Sequence, residues 1–82
     1  MKNMKNILLI DDHDYMYDLV SGLLKDYNVS YVDTIDKASK LLKKENYDLV
    51  ILDLMMPKKS GFNLLPKLKK ANIPNITLSN IK

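Results

Sequence analysis

Leu49-Val50-Ile51-Leu52-Asp53 is the stretch that decides the fold. Its four apolar residues show no polar alternation, so a strand built from them must be covered on both faces, as central strands of parallel sheets are. Near the start of the chain Ile7-Leu8-Leu9-Ile10 repeats the pattern and closes on Asp11 and Asp12, as the first closes on Asp53. Two weaker runs accompany them. Val29-Ser30-Tyr31-Val32 is β-prone and only partly apolar, and Ile76-Thr77-Leu78-Ser79 alternates. Both read as edges of the same sheet.

Helical periodicity fills the intervals. Met16, Leu19, Val20, Leu23, Leu24 and Tyr27 form one 3.6-residue stripe. A second comprises Ile35, Ala38, Leu41 and Leu42, with Asp33 and Thr34 as N-cap candidates, and Lys40, Lys43 and Lys44 on a solvated face. Phe62, Leu65 and Leu68, with Leu64 beside them, form a third, between Ser60-Gly61 and Ile73-Pro74; Pro66 inside it is expected to distort its first turns. The order strand-helix-strand-helix-strand-helix-strand, with right-handed crossovers, predicts an α/β domain: an open parallel sheet with helices on both faces.

Composition narrows the chemistry. The 82 residues suffice for one small domain, a size at which only about 60% of the unfolded surface is buried on folding. The absence of Cys excludes disulfides, a thiol nucleophile and Cys-ligated metals. All 13 basic residues are Lys, which removes the bidentate guanidinium grip on phosphate or guanine, and no recognition-helix pattern is present, so direct nucleic-acid binding is not expected. The net charge of +3 conceals a division: residues 1–36 hold seven Asp against three Lys, residues 37–82 ten Lys against two Asp and one Glu. The apolar run after Lys2 and Lys5 is too short for a signal-peptide core or a membrane span, which leads to the expectation of a soluble cytoplasmic protein.

In an open parallel sheet, ligands bind beyond the carboxyl ends of the strands, where the winding reverses. Asp11, Asp12 and Asp53 stand at such ends. If the first and third strands are neighbours, three carboxylates converge, and like charges at close range call for a cation between them. A hard divalent ion such as Mg²⁺ suits oxygen donors and keeps coordination positions open for a phosphate. A carboxylate beside such an ion can attack phosphorus and form an acyl phosphate. His13 follows the acid pair but reads as a surface residue at a helix start.

These residues resemble the receiver domain of bacterial response regulators. The resemblance rests on Ile7 to Asp12 and on Asp53-Leu54-Met55-Met56-Pro57-Lys58-Lys59-Ser60-Gly61, a D-x-x-M-P-x-x-x-G pattern, and extends from about Lys5 to Ser79. It implies a flavodoxin-like fold with strand order 2-1-3-4 and a role in a two-component phosphorelay. By the same match Asp53 would be the phosphoacceptor, and Asp11, Asp12, Asp53 and the Met55 carbonyl would hold Mg²⁺ or Mn²⁺. Ser79 would be the switch hydroxyl, with Pro57 and Gly61 shaping the loop after the acceptor. The implied partner is a histidine kinase or phosphotransfer protein.

The family pattern continues with a helix, a fifth strand ending in Lys and a last helix, so residues 1–82 are expected to form a single receiver domain truncated after its fourth strand. The fourth strand would then be an open edge, and apolar surface on both faces of the sheet would favour self-association. The alternative function is a non-switching interaction module of the same fold. A metal-dependent phosphohydrolase is disfavoured, since Met55 stands where such enzymes carry a second Asp.

Overall fold

The computed structural model describes residues 4–53 and 64–78. In chain order the elements are β1 (Asn6–Ile10), α1 (Tyr15–Leu23), β2 (Asn28–Val32), α2 (Ile35–Lys44), β3 (Leu49–Asp53), α3 (Leu65–Lys70) and β4 (Asn75–Leu78). The strands form one parallel sheet in the order β2-β1-β3-β4. Among the described residues the two continuous apolar runs therefore occupy the centre and the two mixed runs the edges, in keeping with their patterns.

Side-chain alternation along β1 and β3 builds the core in two layers. Leu8, Ile10, Val50 and Leu52 point to one face, where Ile35 and Ala38 of α2 cover them together with Leu64 and Leu68 at α3. Ile7, Leu9 and Ile51 point to the other, where Val20 of α1 lies on them with Met16 and Leu24 at its margin. Each central strand thus contributes to two cores at once, which is why neither carries a polar residue within Ile7 to Ile10 or Leu49 to Leu52.

Local chemistry sets the helix ends. The Thr34 hydroxyl accepts the Lys37 backbone N–H at 3.1 Å and caps α2. Lys37 also reaches back to the Asp33 carboxylate at 2.9 Å, which holds that carboxyl below its usual range. Helix α3 stops at a left-handed Asn72 with φ of 57°. The Ile73 N–H bonds the Leu68 carbonyl at 3.0 Å and the Asn72 N–H the Lys69 carbonyl at 3.1 Å. Both bonds of a Schellman stop are present.

Two expectations need correction. Pro66 does not distort α3: the helix begins at Leu65, so the proline sits in the first turn, where no backbone donor is needed and its fixed φ is already helical. The α1 stripe is also only partly core. The helix ends at Leu23, before Tyr27, and while Val20 is buried, Leu19 is 53% and Leu23 76% exposed. Val20, Met16 and Leu24 face the sheet; Leu19 and Leu23 lie on the flank. Phe62 and Ser79 lie outside the described residues.

Leu68 is 1% exposed. Leu68→Ala is expected to lower the unfolding free energy by about 2–5 kcal/mol, through lost burial and an incompletely filled cavity. Urea denaturation measures it; a loss below about 1 kcal/mol would show that α3 is not packed on the sheet as described.

Candidate functional site

The site follows from the pairing of β1 with β3. Ile10 lies opposite Leu52 in the parallel register, so the residues that follow them, Asp11 and Asp53, arrive level with one another at the carboxyl rim. Alternation directs both away from the Ile10 and Leu52 side chains. Both are buried, Asp11 at 3% and Asp53 at 8% exposure, whereas Asp12, two residues beyond the end of β1, is exposed. Oxygen atoms of Asp11, Asp12 and Asp53 and a ring nitrogen of His13 all lie within 4.8 Å of one another.

The structure thus brings together the three carboxylates singled out in the sequence. It adds His13, whose exposed ring fits the surface reading but whose Nδ1 reaches inward. That nitrogen is 3.0 Å from Asp11 Oδ1 and 3.1 Å from Asp12 Oδ1. The His13 backbone N–H donates to the same Asp11 oxygen at 2.9 Å, and the imidazole lies at 5.4 Å from the Tyr15 ring. The signal that could have promoted His13 is its place directly after two acids at a strand end. Met55, Pro57, Gly61 and Ser79, also assigned roles from the sequence, lie outside the described residues, as do Met56, Lys58 and Lys59.

Besides His13, the structure adds Tyr31 to the site. Tyr31 of β2 donates its hydroxyl to the Asp11 backbone carbonyl at 2.7 Å. Burial pushes that hydroxyl's pKa up, and the charges of Asp33, Asp11, Asp14 and Asp12 push the same way, so it stays a donor at neutral pH. No motif marks a tyrosine on an edge strand; its role depends on a reach across to the neighbouring strand.

Three carboxylates with a converging oxygen set fit a hard divalent cation such as Mg²⁺, which prefers oxygen donors and retains exchangeable positions. A buried carboxylate grouped with two others at a strand end also suits acyl-phosphate chemistry once a cation offsets the charge. The groove between α3 and β4, lined by Leu65, Lys69, Ile73 and Asn75 among others, opens at the opposite end of the sheet and has no carboxylate in its wall. No helix among the described residues is long and apolar enough to cross a membrane.

The His13 environment predicts a pH dependence. The hydrogen bond to Asp11, then the charges of Asp12, Asp11 and Asp53, raise its pKa above 6.5 against a smaller opposing cost of desolvation. A folded value above the unfolded one contributes stability that is full below the unfolded pKa and lost as pH rises through the folded one. The metal-free chain should therefore lose stability across the window beginning near pH 6.5, with His13→Gln flat over the same window. An NMR titration placing His13 at or below about 6.5 would remove the basis for this dependence.

Comparison with known proteins agrees with this geometry. The response regulator receiver domain model matches residues 7–81. The transcriptional regulatory protein CpxR homolog of Haemophilus influenzae is 37% identical over 79 residues, covering 93% of this chain and 34% of the relative. Chemotaxis protein CheY-3 of Vibrio cholerae is 37% identical over 71 residues, covering 83% of this chain and 54% of that protein. Among solved structures, the response regulator protein TrrA of Thermotoga maritima, in complex with Mg²⁺ and BeF, superposes with a TM-score of 0.84 at 32% identity, covering 96% of this chain and 72% of that one. A CheY-like receiver domain from Methanospirillum hungatei shares the fold with a TM-score of 0.87 at 24% identity, covering 98% of this chain and 67% of that one. The chain spans about a third of the CpxR homolog's length and about half of CheY-3. It belongs to the response regulator receiver domain family.

Proposed function

Taking membership of the receiver family as the premise, we propose that the chain is the phosphoacceptor unit of a two-component phosphorelay and that Asp53 is its acceptor. The observation that carries this reading is the buried Asp53 carboxylate at the end of β3, grouped with Asp11 and Asp12 within 4.8 Å. A carboxylate oxygen of Asp53 attacks the phosphorus of a phosphohistidine on a histidine kinase or phosphotransfer protein. As the new O–P bond forms, the P–N bond breaks, and its electron pair returns to the donor imidazole, which takes up a proton.

Asp11, Asp12 and Asp53 would hold Mg²⁺ or Mn²⁺, with the Met55 carbonyl assigned by the family resemblance alone. When bound, the ion supplies positive charge between the carboxylates and the phosphoryl oxygens. Asp11, tied by the His13 N–H, keeps one oxygen fixed, and the exposed Asp12 is accessible to an incoming ion. Ser79 is proposed as the hydroxyl that engages the phosphoryl group, and Pro57 and Gly61 as the residues that shape the loop. The chain is a phosphoacceptor in this reading, with no catalytic turnover beyond its own phosphorylation and dephosphorylation, and it acts in the cytoplasm without contacting nucleic acid.

Incubation with a small phosphodonor and Mg²⁺ tests the assignment. Intact-mass measurement is expected to show one added phosphoryl group, labile as acyl phosphates are, and complete loss of it in Asp53→Asn. An adduct that persists in that variant would assign the acceptor elsewhere. Chelating the metal should abolish the reaction; an unchanged rate would remove the ion from the proposal.

Self-association is the second element of this reading. Its support is the exposure of Leu19 (53%), Leu23 (76%) and Ile76 (50%), together with a β4 edge that pairs only with β3 among the described residues. Sedimentation at micromolar concentration should show a dimer or larger species. A folded monomer under those conditions would speak against it.

A further inference from the structure

The Asp11 backbone is held at both of its polar groups by the neighbouring strand. Its N–H donates to the Val32 carbonyl at 3.2 Å, and its C=O accepts the Tyr31 hydroxyl at 2.7 Å. The second bond lies beyond the sheet ladder: Asp11 follows the last residue of β1, where a carbonyl ordinarily turns to water. Leu9 is the cross-strand partner of Tyr31, so the tyrosine must reach two residues along, a span of about 6.6 Å. Neither Ser nor Thr is long enough for that. The ring is half-buried on the α1 face, packed in the Ile7, Leu9, Val20 and Ile51 cluster and 6.2 Å from the Tyr17 ring, which limits where its hydroxyl can point.

The bonded carbonyl belongs to the peptide unit that joins Asp11 to Asp12. That unit is planar, so a hydrogen bond to its oxygen fixes the rotation of the whole plane and with it the relative directions in which the two acid side chains leave the backbone. Asp12 lies beyond the end of β1, so the tilt of this peptide sets the direction in which its side chain leaves the backbone, and the His13 ring at 3.1 Å meets the carboxylate at its far end.

We infer that Tyr31 is a positioning residue for the acidic pocket, its hydroxyl setting the Asp11–Asp12 peptide so that both carboxylates converge on one divalent cation. The inference rests on the metal-holding role proposed above for the two acids and adds to it a residue from a different strand. Outer-shell hydrogen bonds of this kind govern metal affinity because they remove the freedom of the ligands they orient. The Tyr31 hydroxyl bonds a backbone carbonyl and not a carboxylate of the Asp11–Asp12 pair, so its effect on the ion passes through the placing of those two acids.

Tyr31→Phe removes the hydroxyl and leaves the ring packing against Tyr17 in place. Calorimetric titration with Mg²⁺ is expected to show a Kd about tenfold weaker than that of the unaltered chain. Tyr17→Phe, which loses a hydroxyl with no bond to the carbonyl, should bind as the unaltered chain does. Phosphorylation by a small phosphodonor should slow in Tyr31→Phe at low Mg²⁺ and recover fully at saturating Mg²⁺, a split that a general loss of structure would not produce. Equal Kd values for Tyr31→Phe and the unaltered chain would overturn the inference, as would equal weakening in both variants or a rate deficit that saturating Mg²⁺ leaves in place. Failure of the unaltered chain to bind Mg²⁺ would instead overturn the site reading beneath it, so the two failures are distinguishable.

Discussion

The register between β1 and β3 is the constraint from which the rest of this molecule follows. Pairing Ile10 with Leu52 brings Asp11 and Asp53 level at one rim of the sheet, both largely removed from water. Burying carboxylates is costly unless they are hydrogen-bonded or paired with a positive charge. Slipping one strand by a single residue would exchange its two faces and move an acid into an apolar layer. The register is held against such a slip by two hydrophobic layers at once, because β1 and β3 each present alternate residues to α1 on one side and to α2 and α3 on the other. The covering of the sheet and the placing of the acids are one piece of physics.

Around that rim the chain uses neighbouring groups to keep the acids in order. The His13 main-chain N–H and ring nitrogen face Asp11, the same ring nitrogen faces Asp12, and Tyr31 holds the carbonyl between them. These groups come from the β1–α1 turn and from β2. The acidic pocket is therefore not a property of two strand ends alone; an edge strand takes part in its geometry. Among the described residues, Lys37, Lys40, Lys43 and Lys44 of α2 and Lys67, Lys69 and Lys70 of α3 share one layer, while Asp14 and Asp18 lie at α1 on the opposite face. Part of the division of charge along the chain becomes, in these elements, a difference between the two faces of the sheet.

Much of the architecture was legible in the residues. Continuous apolar runs at Ile7 to Ile10 and Leu49 to Leu52 read as central strands because only burial on both faces permits such runs, and the mixed runs read as edges for the converse reason. The second helix was legible through Thr34 and the Ile35–Ala38–Leu41 spacing. Errors arose where periodicity was asked to say more than it contains. It marks which residues share a side of a helix, but not how wide a strip of that side the sheet can cover, and so Leu19 and Leu23 belong to the apolar stripe while the core reaches only Val20 and its neighbours. The expected distortion at Pro66 is absent because its effect depends on where the helix begins, a boundary that local composition does not fix.

The sequence by itself determined the kind of fold, the strands that lie at its centre and the three acids that end them, because burial and strand-end chemistry leave their mark on residue type and spacing. Tertiary structure alone decided the residue-by-residue register between neighbouring strands, how far around α1 the apolar cover extends, and that His13 and Tyr31 join the acidic rim. Those outcomes rest on contacts across strands and between a ring and a backbone carbonyl 20 positions away in the chain. Such contacts are set by register and side-chain reach, and neither leaves a periodic signal in the order of the amino acids.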